Sequence, residues 1–227
     1  MEKVAGSLAL DKNEIMVILA KRDMASIIPL HLLNDREMAR YQAFVFVADR
    51  QRYLVAHGLK RQVLAQLTGK SPAALQFHAG PAGKPYLADV NLHFNLSHSG
   101  DWIALAFCVR HPLGIDVEQP RNICYDSLWK QIAHPQDQIS LQEYTEEKTE
   151  EQGFLATWSM KEAVAKCTGL GLSMDFPSLR LTPDGSGKHV CVNRDGAWYI
   201  RHFIHEDMHM AVASSDADLR LRLVQLT

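Results

Sequence analysis

Two long helical patterns in this chain stop at glycines about a hundred residues apart, and each gives way to a run of short strand-like segments. The first pattern extends roughly from Asp49 to Leu67 and ends at Gly69. Tyr53, Leu54, Val63, Leu64 and Leu67 recur at helical spacing, with arginines and a lysine between them. Strand-like segments follow at Leu75–His78, Tyr86–Leu87, His93–Leu96 and Trp102–Val109. Turn signals separate them at Gly80-Pro81, Gly83-Lys84-Pro85 and Ser99-Gly100-Asp101. The second pattern covers 150–168 and ends at Gly169. It is followed by Leu179–Leu181, His189–Val192, Trp198–Ile204 and Met208–Ala213, with Asp184-Gly185-Ser186-Gly187 standing where the first half has its glycine and proline cluster. The run Asp101 to Ala106 also resembles Asp207 to Val212. A repeat of this kind predicts an α+β chain made of two similar halves. The boundary falls between Val109 and Leu113, giving halves of 1–110 and 111–227.

The flanks add a buried strand at Ile15–Ala20 and a helix N-cap at Asn34-Asp35 before Arg36. A polar stretch from Pro135 to Glu151 predicts a surface helix and loop. At 227 residues the chain fits one large domain or two small ones, and 47% hydrophobic against 22% charged residues predicts a globular core. A net charge of −2 gives no bulk attraction for nucleic acid. Cys108, Cys124, Cys167 and Cys191 form no CxxC pair, so reduced, mostly buried thiols are expected. The longest apolar run near the N-terminus, Ile15 to Ala20, is too short to span a membrane and follows charged residues rather than a basic leader. Cytoplasmic residence is the expectation.

Two segments carry the chemistry. In Gly114-Ile115-Asp116-Val117-Glu118 the carboxylates are two apart, so on a strand both point to one side. In Trp158-Ser159-Met160-Lys161-Glu162-Ala163-Val164-Ala165-Lys166, Glu162 and Lys166 share a helix face. Taken alone, the first pair reads as a solvated strand face and the second as an ordinary surface ion pair. The apolar neighbours of Asp116 argue otherwise, because two like charges on a buried face need a cation. Three hard oxygen ligands suit Mg²⁺, and a nearby lysine suits a phosphate-bearing substrate.

With Gly83-Lys84-Pro85 and Phe94-Asn95-Leu96-Ser97-His98-Ser99-Gly100 placed upstream, the chain resembles the larger, surfactin-synthetase-activating type of 4′-phosphopantetheinyl transferase. That family shows G-[IV]-D-x-E followed by W-[ST]-x-K-E-x-x-x-K, both present in full, and the four elements come in the family's order. The resemblance implies a pseudo-twofold pair of α+β halves with the active site in the cleft between them. It implies that Asp116, Glu118 and Glu162 hold Mg²⁺, and that Lys166 and His98 meet the pyrophosphate of coenzyme A. Ser97 lines the coenzyme site, Lys84 and Pro85 contact the adenine side through backbone groups, and Lys161 contacts substrate or carrier more loosely. Aligning the Phe44 and Leu54 regions puts Arg40 and Arg52 on the family's 3′-phosphate positions. Where the family has a further lysine, Glu37 or Arg36 falls.

The implied reaction is transfer of 4′-phosphopantetheine from coenzyme A to a serine of an apo acyl or peptidyl carrier protein, with Glu162 as general base. Release of adenosine 3′,5′-bisphosphate completes it. The implied assembly is a monomer, with carrier docking at Cys124 to Tyr144, and neither nucleic acid nor a membrane is an expected partner. Two other readings remain open on the residues alone: another Mg²⁺-dependent phosphoryl-transfer enzyme, and a non-catalytic protein that binds coenzyme A or carrier proteins. No GxxxxGK[ST] loop supports the former. The intact Asp116, Glu118, Glu162 and Lys166 set argues against the latter.

Overall fold

The structure is a computed structural model, and it describes residues 8–121, 125–137, 150–184, 188–218 and 220–226. Its strands are β1 (Glu14–Lys21), β2 (Phe77–Ala79), β3 (Pro85–Leu87), β4 (His93–Ser99), β5 (Trp102–Cys108), β6 (Leu113–Glu118), β7 (Arg180–Pro183), β8 (His189–Asn193), β9 (Gly196–His205), β10 (Met208–Ser214) and β11 (Arg220–Gln225). Its α-helices are α1 (Asp35–Ala43), α2 (Val47–Thr68), α3 (Tyr125–Ile132) and α4 (Glu150–Thr168). Among the described residues one sheet runs β11-β1-β5-β4, a second runs β6-β10-β9-β8-β7, and β2 pairs with β3 alone.

Connectivity repeats between the halves. In the first, β1 is followed by α2, the β2–β3 pair and the β4–β5 hairpin, and β5 returns antiparallel to β1. In the second, β6 is followed by α4, the β7–β8 pair and the β9–β10 hairpin, and β10 returns antiparallel to β6. Strand β11 departs from this plan: it crosses back to pair in parallel with β1, so the last strand completes the first sheet.

Strand periodicity sorts side chains into layers. From β1, Met16, Ile18 and Ala20 enter the core beneath α2, whereas Ile15, Val17 and Leu19 point to the other face. From β5, Ile103, Leu105 and Phe107 join α2, while Trp102, Ala104 and Ala106 meet Ile115, Val117, Met210 and Val212. The remaining face of the second sheet, with Ala211 and Ala213, packs on Met160, Ala163 and Val164 of α4. The order is therefore helix, sheet, sheet, helix, with a core in each of the three gaps. Burying a fully apolar core residue contributes about 1.5–3 kcal/mol, so these gaps carry the fold.

Local signals explain the helix ends. Asn34 caps α1 by accepting from Glu37 N at 2.8 Å while Glu37 Oε2 accepts from Asn34 N at 3.2 Å, a reciprocal capping box. Helix α2 ends at Gly69, which adopts φ +70. The polar stretch expected at Pro135 to Glu151 lies mostly outside the described residues, as does part of the Asp184-to-Gly187 turn. Among the described residues no helix is long and apolar enough to cross a membrane.

Candidate active site

Gly114 lets the site form. A Cβ there would lie 2.0 Å from Ala163 O and 2.4 Å from Cys167 N, so only glycine lets α4 lie directly on β6. That contact puts Glu162 and Lys166 over the strand face bearing Asp116 and Glu118. Lys166 Nζ reaches Asp116 Oδ1 at 2.6 Å.

Strands β4 and β6 are the facing edges of the two sheets, and among the described residues no backbone ladder joins them. Side chains replace the ladder. Asn95 Oδ1 accepts from Ile115 N at 2.9 Å, Ser97 Oγ from Val117 N at 3.4 Å and Ser99 Oγ from Gln119 N at 3.1 Å. Each serine also donates to a carboxylate: Ser97 to Asp116 Oδ1 at 2.9 Å, and Ser99 to Glu118 Oε2 at 3.0 Å. Each accepts from the cation that pairs with that carboxylate, Lys166 at 2.9 Å for Ser97 and Arg121 at 3.5 Å for Ser99. A hydroxyl has one proton and two lone pairs, so both serines are fully used. Ser99 and Arg121 are not among the residues singled out from the sequence. For Ser99 the signal is present there, since the two-residue spacing of Ser97 and Ser99 matches that of Asp116 and Glu118.

The carboxylates are held differently. Asp116 is buried, and its Oδ2 has no hydrogen-bond partner among the described residues. Burial raises its pKa, with Glu118 adding to the rise and Lys166 opposing it. Glu118 accepts from Trp158 Nε1 on Oε1 at 3.0 Å and from Ser99 and Arg121 on Oε2. Burial, then the charges of Asp116 and Glu118, push the pKa of Glu162 up to about 7 despite Lys166. Among the described residues no three His, Cys, Asp or Glu side chains are drawn into a ready metal-binding group. The orphaned Asp116 oxygen and the mutual repulsion of three oxygen donors nonetheless fit a hard divalent cation.

His98 lies on the opposite side of β4 from Ser97, with its ring partly open to solvent. Partial burial first, then the charges of Arg52 and Lys166, hold its pKa below the ordinary histidine range. Arg52 donates to Gly100 O at 2.8 Å and pairs with Asp49. Arg40 is exposed on α1, with its guanidinium 5.1 Å from the Phe44 ring centre. Glu37 does not stand in as a further phosphate contact: it is buried and accepts from Lys60 at 3.0 Å and Arg61 at 2.5 Å. Burial works to raise its pKa, but hydrogen bonds from His57, Arg61 and Lys60 outweigh it and hold the carboxyl far below the usual range.

Lys84 sends its ammonium inward to Leu113 O at 2.8 Å and Cys167 O at 3.1 Å, tying the Gly83-Lys84-Pro85 turn to the end of α4. Beside it, a cavity of about 360 Å³ is lined by Lys84, Pro85, Tyr86, Phe94 and Thr168. Lys161 requires a correction. It was expected to face substrate or carrier, but it is wholly buried. Its ammonium pairs with Asp137 at 2.6 Å and donates to Ile132 O at 2.6 Å and Phe176 O at 3.1 Å. It faces away from the cleft because it is one position off the face that carries Glu162 and Lys166.

Comparison with known proteins fits this arrangement. Residues 112–214 match the 4′-phosphopantetheinyl transferase superfamily, and residues 22–110 match the N-terminal region of 4′-phosphopantetheinyl transferases. A 4′-phosphopantetheinyl transferase of Bacillus subtilis is 34% identical over 201 residues, which is 82% of this chain and 87% of that protein. The Sfp transferase of Bacillus subtilis strain 168 is 28% identical, covering 83% of this chain and 85% of its own length. HetI of a Nostoc species, another 4′-phosphopantetheinyl transferase, is 29% identical over 80% of this chain and 78% of its own.

Proposed function

Because the chain belongs to the 4′-phosphopantetheinyl transferase superfamily, we propose that it moves 4′-phosphopantetheine from coenzyme A to a serine hydroxyl of an apo carrier protein. The serine oxygen forms a bond to the phosphorus that carries pantetheine. The bond from that phosphorus to the bridging oxygen breaks, and adenosine 3′,5′-bisphosphate leaves. The nucleophile belongs to the partner, so this chain's task is to bind, orient and balance charge.

Asp116, Glu118 and Glu162 would hold Mg²⁺, and the orphaned Asp116 Oδ2 is the observation that carries this reading. When bound there, such an ion draws charge off the pyrophosphate oxygens. Lys166 adds positive charge and hydrogen bonds to the same oxygens, and His98 adds a hydrogen bond. Arg40 and Arg52 supply guanidinium forks to the 3′-phosphate. Lys84 and Pro85 offer backbone groups to the adenine, beside the cavity they line. Ser97 holds Asp116 and Lys166 in register rather than meeting substrate with a free hydroxyl. Glu162 takes the serine proton, directly or through a water.

The carrier-docking side is Cys124 to Tyr144, of which residues 125–137, with Lys130 in the last turn of α3, lie within the described residues. The chain carries both halves of the cleft and acts as a monomer in the cytoplasm. The test is the intact mass of several apo carrier proteins after incubation with this protein, coenzyme A and Mg²⁺, beside an EDTA control. A metal-dependent gain of one phosphopantetheine is expected. Coenzyme A binding with no gain on any carrier would overturn the transfer reading.

A further inference from the structure

Glu118 is gripped on both oxygens by groups that no step of the transfer requires. Trp158 Nε1 donates to Oε1 at 3.0 Å, and Ser99 Oγ donates to Oε2 at 3.0 Å. Both donors are themselves held. The indole stacks with Phe154 at 6.1 Å between ring centres and packs on Phe176 at 5.6 Å. Ser99 is buried, and its hydroxyl is oriented by Gln119 N. A carboxylate has about four acceptor positions. Trp158, Ser99 and Arg121 occupy three of them, leaving one open on Oε1. Asp116 shows the complementary pattern, with Oδ1 engaged twice and Oδ2 open.

We propose that Trp158 and Ser99 are positioning residues that fix the Glu118 carboxylate so that its remaining lone pair is presented for a divalent cation. The inference rests on the reading of Asp116, Glu118 and Glu162 as holders of that cation. Outer partners of metal-binding carboxylates typically set about 10–100-fold in metal affinity. Trp158→Phe keeps a six-membered ring against Phe154 and Phe176 and deletes the N–H together with the pyrrole ring that carries it. Ser99→Ala removes the second grip and leaves α4 untouched.

The experiment titrates Mn²⁺ into protein saturated with coenzyme A, following the free ion by electron paramagnetic resonance. Metal-free coenzyme A affinity is measured separately. Each variant is expected to weaken Mn²⁺ binding about tenfold or more. The metal concentration for half-maximal transfer should shift in parallel, with metal-free coenzyme A affinity unchanged. In a Glu118→Gln background, Trp158→Phe should have no further effect on Mn²⁺ binding. Unchanged Mn²⁺ affinity in both variants overturns the proposal. So does a loss matched by equal loss of metal-free coenzyme A affinity, since that is general damage to the cleft. If Trp158→Phe does not fold, Ser99→Ala alone gives the decision. A wild-type protein that binds coenzyme A but no Mn²⁺ refutes the metal reading itself, and the proposal falls with it.

Discussion

Helix α4 carries two lysines five residues apart, each 2.6 Å from an aspartate, and they do opposite things. Lys161 is 0% exposed and spends its three protons on Asp137, Ile132 O and Phe176 O. Asp137 has both oxygens engaged, accepting from Leu181 N and His134 N as well. That pair knots α3, α4 and β7 together. The Lys166 side chain is 26% exposed, and its aspartate keeps one buried oxygen empty beside two more carboxylates. What separates a structural ion pair from a working one here is satisfaction, not distance. A network with every donor and acceptor matched has nothing left to offer a ligand.

The sharpest way to break this contrast is to remove each lysine in turn. Lys161→Met leaves Asp137 charged and dry, so unfolding free energy should fall by about 3–5 kcal/mol. Thermal melting should show this as a drop of roughly 10 °C. Lys166→Met should cost less than about 1 kcal/mol in the same melt, because its aspartate can take up a proton instead. Transfer to carrier should fall about 10²–10³-fold, read as kcat/KM on an apo carrier. Equal stability losses for the two variants would erase the distinction.

Gly114→Ala probes what the pair of lysines shares. The new methyl would strike the backbone of Ala163 and Cys167, so α4 must lift from β6. Overpacking of this kind costs about 1–3 kcal/mol. Activity should fall more than stability, because the Lys166 side of the helix rests on β6 and the Lys161 side does not. The comparison is denaturant midpoint against kcat/KM.

The smallest expected effect is a pH slope. The raised pKa of Glu162, about 7, means the folded protein binds more protons than the unfolded chain between roughly pH 4.5 and 7. Stability of the metal-free protein should therefore decline as pH rises through that window. Glu37 has the opposite sign. Its lowered pKa gives stability that is present above its unfolded value and lost as pH falls below about 4.5. Urea melts in EDTA from pH 4 to 8 should show a maximum between these limits. Saturating Mg²⁺ should flatten the upper side, and a slope that Mg²⁺ leaves unchanged would count against a cation among these carboxylates.

Much of this was legible in the residues. Helix α2 and its stop at Gly69 follow from periodicity and one glycine, and the Asn34 cap follows from its side chain. Asp116 and Glu118 declare a common face through strand period alone. Strand β11 is not among the strand-like segments read from the sequence, and nothing local says that its partner is β1, some two hundred residues earlier. Helical spacing sets Lys161 off the face shared by Glu162 and Lys166 but does not say what it meets there. The difference between the two lysines lies in Asp137 and Asp116, partners chosen by tertiary packing, and sequence spacing along one helix carries no information about them. Ser99 and Trp158 show the same limit: their residue types are visible, but not that both end on Glu118.

The side-chain seam between β4 and β6 has a consequence for how such a protein can change. A backbone ladder is nearly indifferent to which residues compose it, so mutation can rarely retune it. The junction of the two halves is instead spelled out by Asn95, Ser97 and Ser99, each answering one amide of β6. A single codon change can therefore loosen or shift the meeting of the halves by one contact at a time, leaving each half's own core intact. The fit of the cleft to its substrates is thus open to gradual variation, at a place where most sheets would have been closed to it.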